Sequence, residues 1–181
     1  MASSPKALFT PFSSSKLDLK NRLVMAPMTR SHSPNGIPGQ DVAEYYKRRA
    51  EGEIALIITE GTTVDSPVAS NDTNIPVFHG DEALKGWKKV VEAVHAAGGK
   101  ICPQLWHMGA QREPGKGPNP DLTSFGPSGL DAKGEQSVKI MTQQDIDDVI
   151  GAFVKAAREA KALNFDGIEL HGAHGYLLDQ F

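Results

Sequence analysis

The sequence has few of the features that mark secreted, membrane or nucleic-acid-binding proteins. It contains one cysteine, Cys102, so no disulfide can form within the chain, which fits a reducing compartment. The longest apolar run, residues 54–58, is far too short to cross a bilayer, and the first residues lack the apolar core of a signal peptide. A formal net charge of −3 and no Lys/Arg cluster argue against nucleic acid or a membrane as a partner. These absences predict a cytoplasmic protein.

The composition that remains is that of a globular α/β protein. Hydrophobic residues make up 39% of the 181 positions and charged residues 23%, as in folded domains. Strand-like and helical segments alternate, which predicts a parallel sheet with right-handed crossovers. The predicted strands are residues 22–28, 53–60, 100–107 and 166–171, and the predicted helices are residues 41–51, 81–97 and 142–163.

Local patterns refine this prediction. Asp145 follows Thr142 by three positions, which predicts a capping box at the start of the third helix. Pro103 conflicts with its strand because proline cannot donate to the ladder, so we expect a bulge or a missing bond there. Apolar residues at three- and four-residue steps predict the buried stripes of two helices. In the second helix they are Leu84, Trp87, Val91 and Val94, and in the third Ile146, Val149, Ile150, Phe153, Val154 and Ala157.

Two further segments do not belong to these strands and helices. Residues 8–12 and 16–19 predict a short hairpin that turns at residues 13–15, within a capping segment of residues 1–20. Residues 109–141 are rich in Gly, Pro, Asn and Ser. So long a loop in a compact domain is usually functional, so we expect an active-site lid or wall there.

Polar and aromatic side chains occur at the carboxyl ends of all four predicted strands. In a (β/α)8 barrel these ends carry the active site, so we expect the side chains to converge. A glutamine with paired donor and acceptor atoms, beside a glycine that allows close approach, suits a planar heteroaromatic ligand. Two imidazoles and a phenol after the last strand can bind an oxygen and deliver a proton. The candidates are Pro27, Met28, Thr29, Gly61, Gln104, Trp106, His171, His174 and Tyr176.

Four segments of the sequence resemble the old yellow enzyme family of FMN-dependent ene-reductases. They are NRLVMAPMTR at 21–30, ITEG at 58–61, QLWH at 104–107 and GIELHGAHGYLL at 167–178. The resemblance implies a parallel (β/α)8 TIM barrel, of which this chain supplies the N-terminal hairpin and about the first four βα units. Residues 1–181 would then be the N-terminal half of a single FMN-binding domain. A complementary C-terminal half-barrel chain, or self-association, would cover the open side.

The resemblance also implies roles for the candidate residues. FMN would be the cofactor, reduced by NADPH or NADH, and the substrate would be an enone, a nitro compound or a nitrate ester. His171 and His174 would bind an oxygen of the substrate, and Tyr176 would supply a proton. The residues implied to hold the flavin are Pro27, Met28, Thr29, Gly61, Gln104 and His171. The residues implied to bind the substrate are Trp106, His171, His174 and Tyr176.

Other interpretations remain open. The chain could be a non-catalytic half-barrel that associates with itself or with a partner. It could also belong to a dienoyl-CoA reductase-like flavoenzyme with the same barrel, although Thr29 and the histidine pair favour an ene-reductase. A zinc site at His171, His174 and His107 is disfavoured because the pair follows a strand and no metalloprotease carboxylate is present. The resemblance is weakest at residues 110–112, where many relatives have arginine directly after the glycine.

Overall fold

The computed structural model describes residues 5–131 and 133–181, in which strands and helices alternate along the chain. The strands are β1 (Phe12–Ser13), β2 (Asp18–Leu19), β3 (Val24–Met25), β4 (Leu56–Thr63), β5 (Lys100–Trp106), β6 (Phe125–Gly126), β7 (Lys139–Ile140) and β8 (Glu169–Leu170). The α-helices are α1 (Gln40–Glu51), α2 (Asp81–Ala96) and α3 (Gln143–Ala162).

Four strands form the central sheet, which is parallel throughout. Their order is β3-β4-β5-β8, so each strand pairs with the strand of this sheet that precedes it in the chain, as successive strands of a barrel do. The inner strands β4 and β5 lie close to their predicted positions. The outer strands β3 and β8 cover only two residues each, instead of residues 22–28 and 166–171. Each outer strand pairs with its one neighbour over two residues.

The predicted N-terminal hairpin is correct in outline and wrong in detail. Residues 8–12 were expected to be a strand, but a 3₁₀ helix occupies Pro5–Phe9 and the first strand is β1. The Ser14 hydroxyl accepts a hydrogen bond from the Leu17 N–H at 3.0 Å, which moves the turn to residues 14–17. Residues 1–4 of the predicted capping segment lie outside the described residues.

The main core lies between the sheet and helices α1, α2 and α3. The predicted stripe of α2 is confirmed, since Trp87, Val91 and Val94 are buried against the sheet and Leu84 is partly buried. The Trp87 Nε1–H donates to the Val77 carbonyl at 3.0 Å, which satisfies its polar atom inside the core. Among the described residues, no helix combines the length and the apolar character needed to cross a membrane.

Helix α3 begins as predicted but buries a different face. The Asp145 N–H donates to the Thr142 hydroxyl and the Thr142 N–H donates to the Asp145 carboxylate, which completes the capping box. The expected burial of Ile150 and Val154 is wrong, because they are 55% and 43% exposed. Small side chains let α3 approach the sheet closely, and they turn the larger apolar ones outward. The buried residues of α3 are Val149, Ala152, Ala156 and Ala160.

The outward side chains of α3 line an apolar groove with a volume of about 460 Å³. Leu170 of β8 and the segment after it form the opposite wall. We call this surface the α3 groove. Its lining residues are Met141, Ile146, Val149, Ile150, Phe153, Val154, Leu170, Leu177, Leu178 and Phe181.

Pro103 produces the expected bulge. Ile58 pairs with Cys102 and Gly61 pairs with Gln104, so β4 advances three residues while β5 advances two. The irregularity falls opposite the proline, which has no N–H to offer. Beyond it, the Gln104 N–H donates to the Thr59 hydroxyl at 3.2 Å.

The long segment 109–141 contains local structure. A 3₁₀ helix spans Gly109–Gln111, and β6 pairs in parallel with β7. Arg112 is 1% exposed and its guanidinium donates only to main-chain carbonyls, those of Ser70, Lys116, Asn119 and Leu122. Burial lowers the pKa of this guanidinium. Arg112 therefore holds the shape of the loop rather than facing the sheet ends.

Candidate active site

A cavity of about 370 Å³ lies at the carboxyl ends of the four central strands. It brings together eight of the nine candidate residues, drawn from all four strands. Met28 is not among the lining residues, and it is 52% exposed. Successive side chains of an extended chain point to opposite sides, so Met28 turns away from its neighbours. The candidates that line the cavity are Pro27, Thr29, Gly61, Gln104, Trp106, His171, His174 and Tyr176.

The His171 ring lies between the other two candidate groups that follow β8. Its centroid is 5.2 Å from that of His174 and 4.9 Å from that of Tyr176, with both pairs nearly perpendicular. Tyr176 also meets Trp106 edge to face at 5.0 Å. Two imidazoles and a phenol therefore border one small volume at the end of the sheet.

The protonation of His171 follows from its surroundings. Burial, and then the neighbouring His174, lower the pKa of the His171 imidazole, so the ring is neutral at neutral pH. The Ala173 N–H points at Nδ1 from 3.4 Å, and this long contact favours the tautomer with its proton on Nε2. In that tautomer His171 offers an N–H donor to an oxygen in the cavity.

Gln104 has a fixed orientation in the cavity wall. Its Nε2 donates to Glu169 Oε1 at 2.8 Å, and an ionised carboxylate can only accept, so the amide oxygen is the free end. A Cβ added to Gly61 would lie 3.4 Å from this oxygen and 3.2 Å from Trp106 Cε3. The absence of a side chain at Gly61 thus opens a flat surface beside an acceptor.

Glu169 lines the cavity and was not a candidate from the sequence. The sequence contains a pattern that predicts this position: Glu169 precedes His171 by two positions, and residues two apart share a face of a strand. Its partner Gln104 shows that it contributes to the polar wall.

A buried ion pair supports the segment that carries Thr29, and the sequence did not reveal it. Arg30 donates from Nε and Nη2 to Glu60 Oε1 at 3.0 and 2.9 Å. The Tyr46 hydroxyl accepts the Glu60 N–H at 2.8 Å and donates to the same carboxylate at 3.3 Å. Burial, and then Glu60, raise the pKa of the Tyr46 phenol far above its ordinary value. The network ties the chain after β3 to β4 next to Gly61.

His107 follows β5 and is fully buried outside the cavity. Its Nδ1 accepts the Gly109 N–H at 2.9 Å, so Nε2 carries the proton and donates to the Ser66 hydroxyl at 2.9 Å. Burial, and then Arg112, lower the pKa of His107 to about 3. A ring that already donates to the serine cannot take the serine proton, so this pair is structural. Within residues 5–131 and 133–181, no three His, Cys, Asp or Glu side chains are grouped to hold a metal ion.

The remaining candidates for reactivity have structural explanations. Cys102 is buried, and burial raises the pKa of its thiol to about 11, so it is a small core residue rather than a reactive thiolate. His95 pairs with Asp166 at 2.8 Å, and His79 lies 3.5 Å from Asp65. Trp87 is core, as predicted.

The residues of the cavity fit a planar ring with a polar edge. Gly61 leaves room for the ring face, the Gln104 oxygen offers an acceptor for a ring N–H, and Thr29 offers a hydroxyl. His171 and Tyr176 border the same space with hydrogen-bond donors. A heteroaromatic cofactor and a small oxygen-bearing substrate can therefore share the cavity.

Comparison with known proteins agrees with the chemistry that the cavity suggests. Residues 7–181 match the NADH:flavin oxidoreductase / NADH oxidase family. The chain is 37% identical to 12-oxophytodienoate reductase 7 of Oryza sativa subsp. japonica, over 96% of this chain and 47% of that protein. It superposes on morphinone reductase in complex with tetrahydroNAD with a TM-score of 0.85 and 35% identity, covering 94% of this chain and 50% of that one. The old yellow enzyme from Pichia sp. AKU4542 gives a TM-score of 0.86 and 34% identity, with 96% and 47% covered. The chain spans about half the length of the relatives it matches.

Proposed function

Because this chain belongs to the NADH:flavin oxidoreductase / NADH oxidase family, with old yellow enzymes among its relatives, we propose that it is the N-terminal half of an FMN-dependent ene-reductase. The substrates would be α,β-unsaturated carbonyl or nitro compounds, or nitrate esters, and the reductant NADPH or NADH. The observation that carries the proposal is the convergence of His171, His174 and Tyr176 on the cavity that Gly61 and Gln104 border.

The flavin ring would lie against the ends of β3 and β4. Gly61 leaves room for the ring face, and the free oxygen of Gln104 would accept a ring N–H. Pro27 and Thr29 would line the ring, and the main chain of Met28 would pass beside it. Bound FMN, reduced by NADPH or NADH, would supply the hydrogen and electrons that reach the β-carbon of the activated C=C bond.

The two histidines would stabilise the charge that develops on the substrate. As the β-carbon is reduced, negative charge grows on the carbonyl or nitro oxygen, and N–H donors on His171 and His174 would bind it more tightly in the transition state than in the ground state. Loss of one such donor commonly costs about 3–4 kcal/mol. The lowered pKa of His171 keeps that ring neutral, so its N–H is retained at neutral pH without adding a charge.

Tyr176 would complete the reaction by proton transfer. The α-carbon would need a proton, and the phenol, whose ring centroid lies 4.9 Å from that of His171, borders the same cavity and could supply it. Trp106 packs against Tyr176 and would hold the phenol in place while forming a wall of the substrate pocket.

A second proposal concerns the open surfaces of the chain. The α3 groove is apolar, and β3 and β8 each pair on one side only. Such surfaces favour association, so we propose that a complementary half-barrel chain, or a second copy of this chain, covers them. A half-barrel that only associates and performs no chemistry is the alternative that this observation favours.

Reconstitution tests the proposed activity. The chain would be produced alone and together with a polypeptide corresponding to the second half of the rice relative. We expect the pair to retain FMN, visible in the absorption spectrum, and to reduce 2-cyclohexenone with NADPH. No retained flavin in any combination would contradict the proposal, and retained flavin without enone reduction would favour a different reaction.

Two glycine variants provide the matched control. Gly61→Leu would fill the space beside Gln104 and Trp106 and should abolish FMN retention in the reconstituted protein. Gly151→Leu places the same side chain on the exposed side of α3, where an added Cβ meets no atom within 4 Å. FMN retention should survive this change. Equal retention by both variants would exclude the ring position proposed here.

A further inference from the structure

The loops that follow β5 and β8 are joined by a glutamine that no motif accounts for. Gln111, in the 3₁₀ helix after β5, donates from Nε2 to the His174 carbonyl at 2.6 Å. Gln111 belongs to residues 110–112, where the sequence departs from many relatives. The bond links the two loops next to the histidine pair.

The backbone at this junction has a disfavoured conformation. His174 has a φ of 61° and lies in the left-handed region, which is disfavoured for a residue with a side chain. Gly175 follows with a φ of 71°, and a Cβ added to it would lie 2.5 Å from Gln111 Nε2. The glycine therefore gives the glutamine amide the space to reach the carbonyl of His174.

A second glutamine, Gln180, forms hydrogen bonds with the same two loops. Gln180 Oε1 accepts the Ala110 N–H at 3.0 Å, and its Nε2 donates to the Gly175 carbonyl at 2.7 Å and the Met108 carbonyl at 3.1 Å. A Cβ added to Gly109 would lie 2.4 Å from Gln180 Oε1, so a glycine makes room here as well. The two amides and the glycines around them form one continuous hydrogen-bonded junction.

We infer that Gln111 is a positioning residue, which holds the main chain of His174 in its left-handed conformation so that the His174 and His171 rings face one substrate oxygen. The inference rests on the proposed function for the task of the rings, but the tether itself concerns only this chain. Without the tether the His174 backbone can relax toward a more favourable conformation, and its ring would leave the neighbourhood of His171.

The test compares two glutamine variants of the chain. Gln111→Met keeps the length of the side chain and removes the donor. Gln144→Met is the control, because Gln144 lies on the exposed face of α3 and bonds there to Asp148 at 2.8 Å. Amide hydrogen exchange of residues 174–177 should be about tenfold faster in Gln111→Met and unchanged in Gln144→Met. Equal protection in all three proteins would overturn the tether.

Titration of His171 by NMR separates positioning from simple loosening of the loop. The His174 ring contributes to the lowered pKa of His171, while Glu169 and Asp179 act in the opposite direction. If His174 moves away in Gln111→Met, the pKa of His171 should rise toward its ordinary value. A loop that exchanges faster while His171 keeps its pKa would show that Gln111 does not set the ring position.

The reconstituted flavoprotein supplies the functional readout. We expect Gln111→Met to retain FMN and to raise KM for the enone, with a loss of kcat/KM of about 10- to 100-fold. Unchanged kinetics with enone would overturn the positioning role. If no FMN is retained by the wild-type protein, the proposed function fails, and hydrogen exchange with the His171 titration still decides the tether.

Discussion

Tyr176 and His171 border the same cavity, but their side chains can perform different steps. The phenol carries a proton that can be given away, whereas the neutral imidazole offers an N–H that stays in place. Their perpendicular contact fixes one ring against the other. Separate substitutions should therefore affect separate steps of the proposed reaction.

Replacement of Tyr176 by phenylalanine removes the proton donor and keeps the ring that packs on Trp106. We expect Tyr176→Phe to slow the reduction of an enone about 10²-fold or more, because a positioned general acid is lost. The reduction of FMN by NADPH should be nearly unchanged. Stopped-flow absorbance of the reconstituted protein measures both steps. Equal slowing of the two would exclude Tyr176 as the proton donor.

The sequence predicted most of the cavity at the level of single residues. Residues such as Gly61, His171 and Tyr176 are found there because strand ends converge, and strand ends can be recognised from apolar runs. Met28 does not line the cavity because alternation along an extended segment decides which side a residue faces. Glu169 and the pair of Arg30 with Glu60 were missed because their partners are distant in sequence.

At the scale of elements, the bulge between β4 and β5 brings the Thr59 hydroxyl within hydrogen-bond distance of the Gln104 N–H. Thr59→Val keeps the shape of the residue but leaves the Gln104 N–H without its acceptor. We expect a loss of about 1–3 kcal/mol in the free energy of unfolding. Urea denaturation measures it, with Thr123→Val in the exposed part of the long loop as control. If Thr59→Val were as stable as the control, the Thr59 hydroxyl would not be the acceptor that the bulge requires.

His107, which follows β5, should make the free energy of unfolding depend on pH. His107 is neutral in the folded chain because its pKa is lowered from 6.5 to about 3, so the unfolded chain binds one more proton between these values. Its contribution is complete above pH 6.5 and decreases as the pH falls toward 3, by up to about 1.4 kcal/mol per pH unit. Urea unfolding at pH 7 and pH 5 should show a smaller decrease for His107→Gln than for the wild-type chain. An identical decrease in both proteins would show that His107 is not the responsible group.

In helix α3, the periodicity of the apolar residues does not determine which face is buried. The helix carries apolar residues on two faces, and the sequence alone gives no reason to prefer the face with the larger side chains. The choice is decided by how closely the helix can approach the sheet, and Ala152, Ala156 and Ala160 allow the closer approach. The boundaries of α3 and its capping box depend on local chemistry and were therefore predictable.

At the scale of the whole molecule, we expect copies of the chain to associate through the α3 groove. Ile150→Lys places a charge in the groove and should shift the chain toward monomer, because apolar contact drives the association. Asp147→Lys introduces the same side chain at an exposed position of the same helix, outside the groove, and is the control. Sedimentation velocity across a range of concentrations measures both variants. A monomeric wild-type chain, or equal effects of the two variants, would contradict association through this surface.

The order of the central strands also bears on how the chain acquires its structure during translation. Each of β4, β5 and β8 pairs with the strand of this sheet that was synthesised before it, so its partner is already present when it emerges. The segment that must be closed in each case, such as residues 64–99 between β4 and β5, has already been synthesised when the later strand appears. The sheet can therefore grow one strand at a time as the ribosome releases the chain.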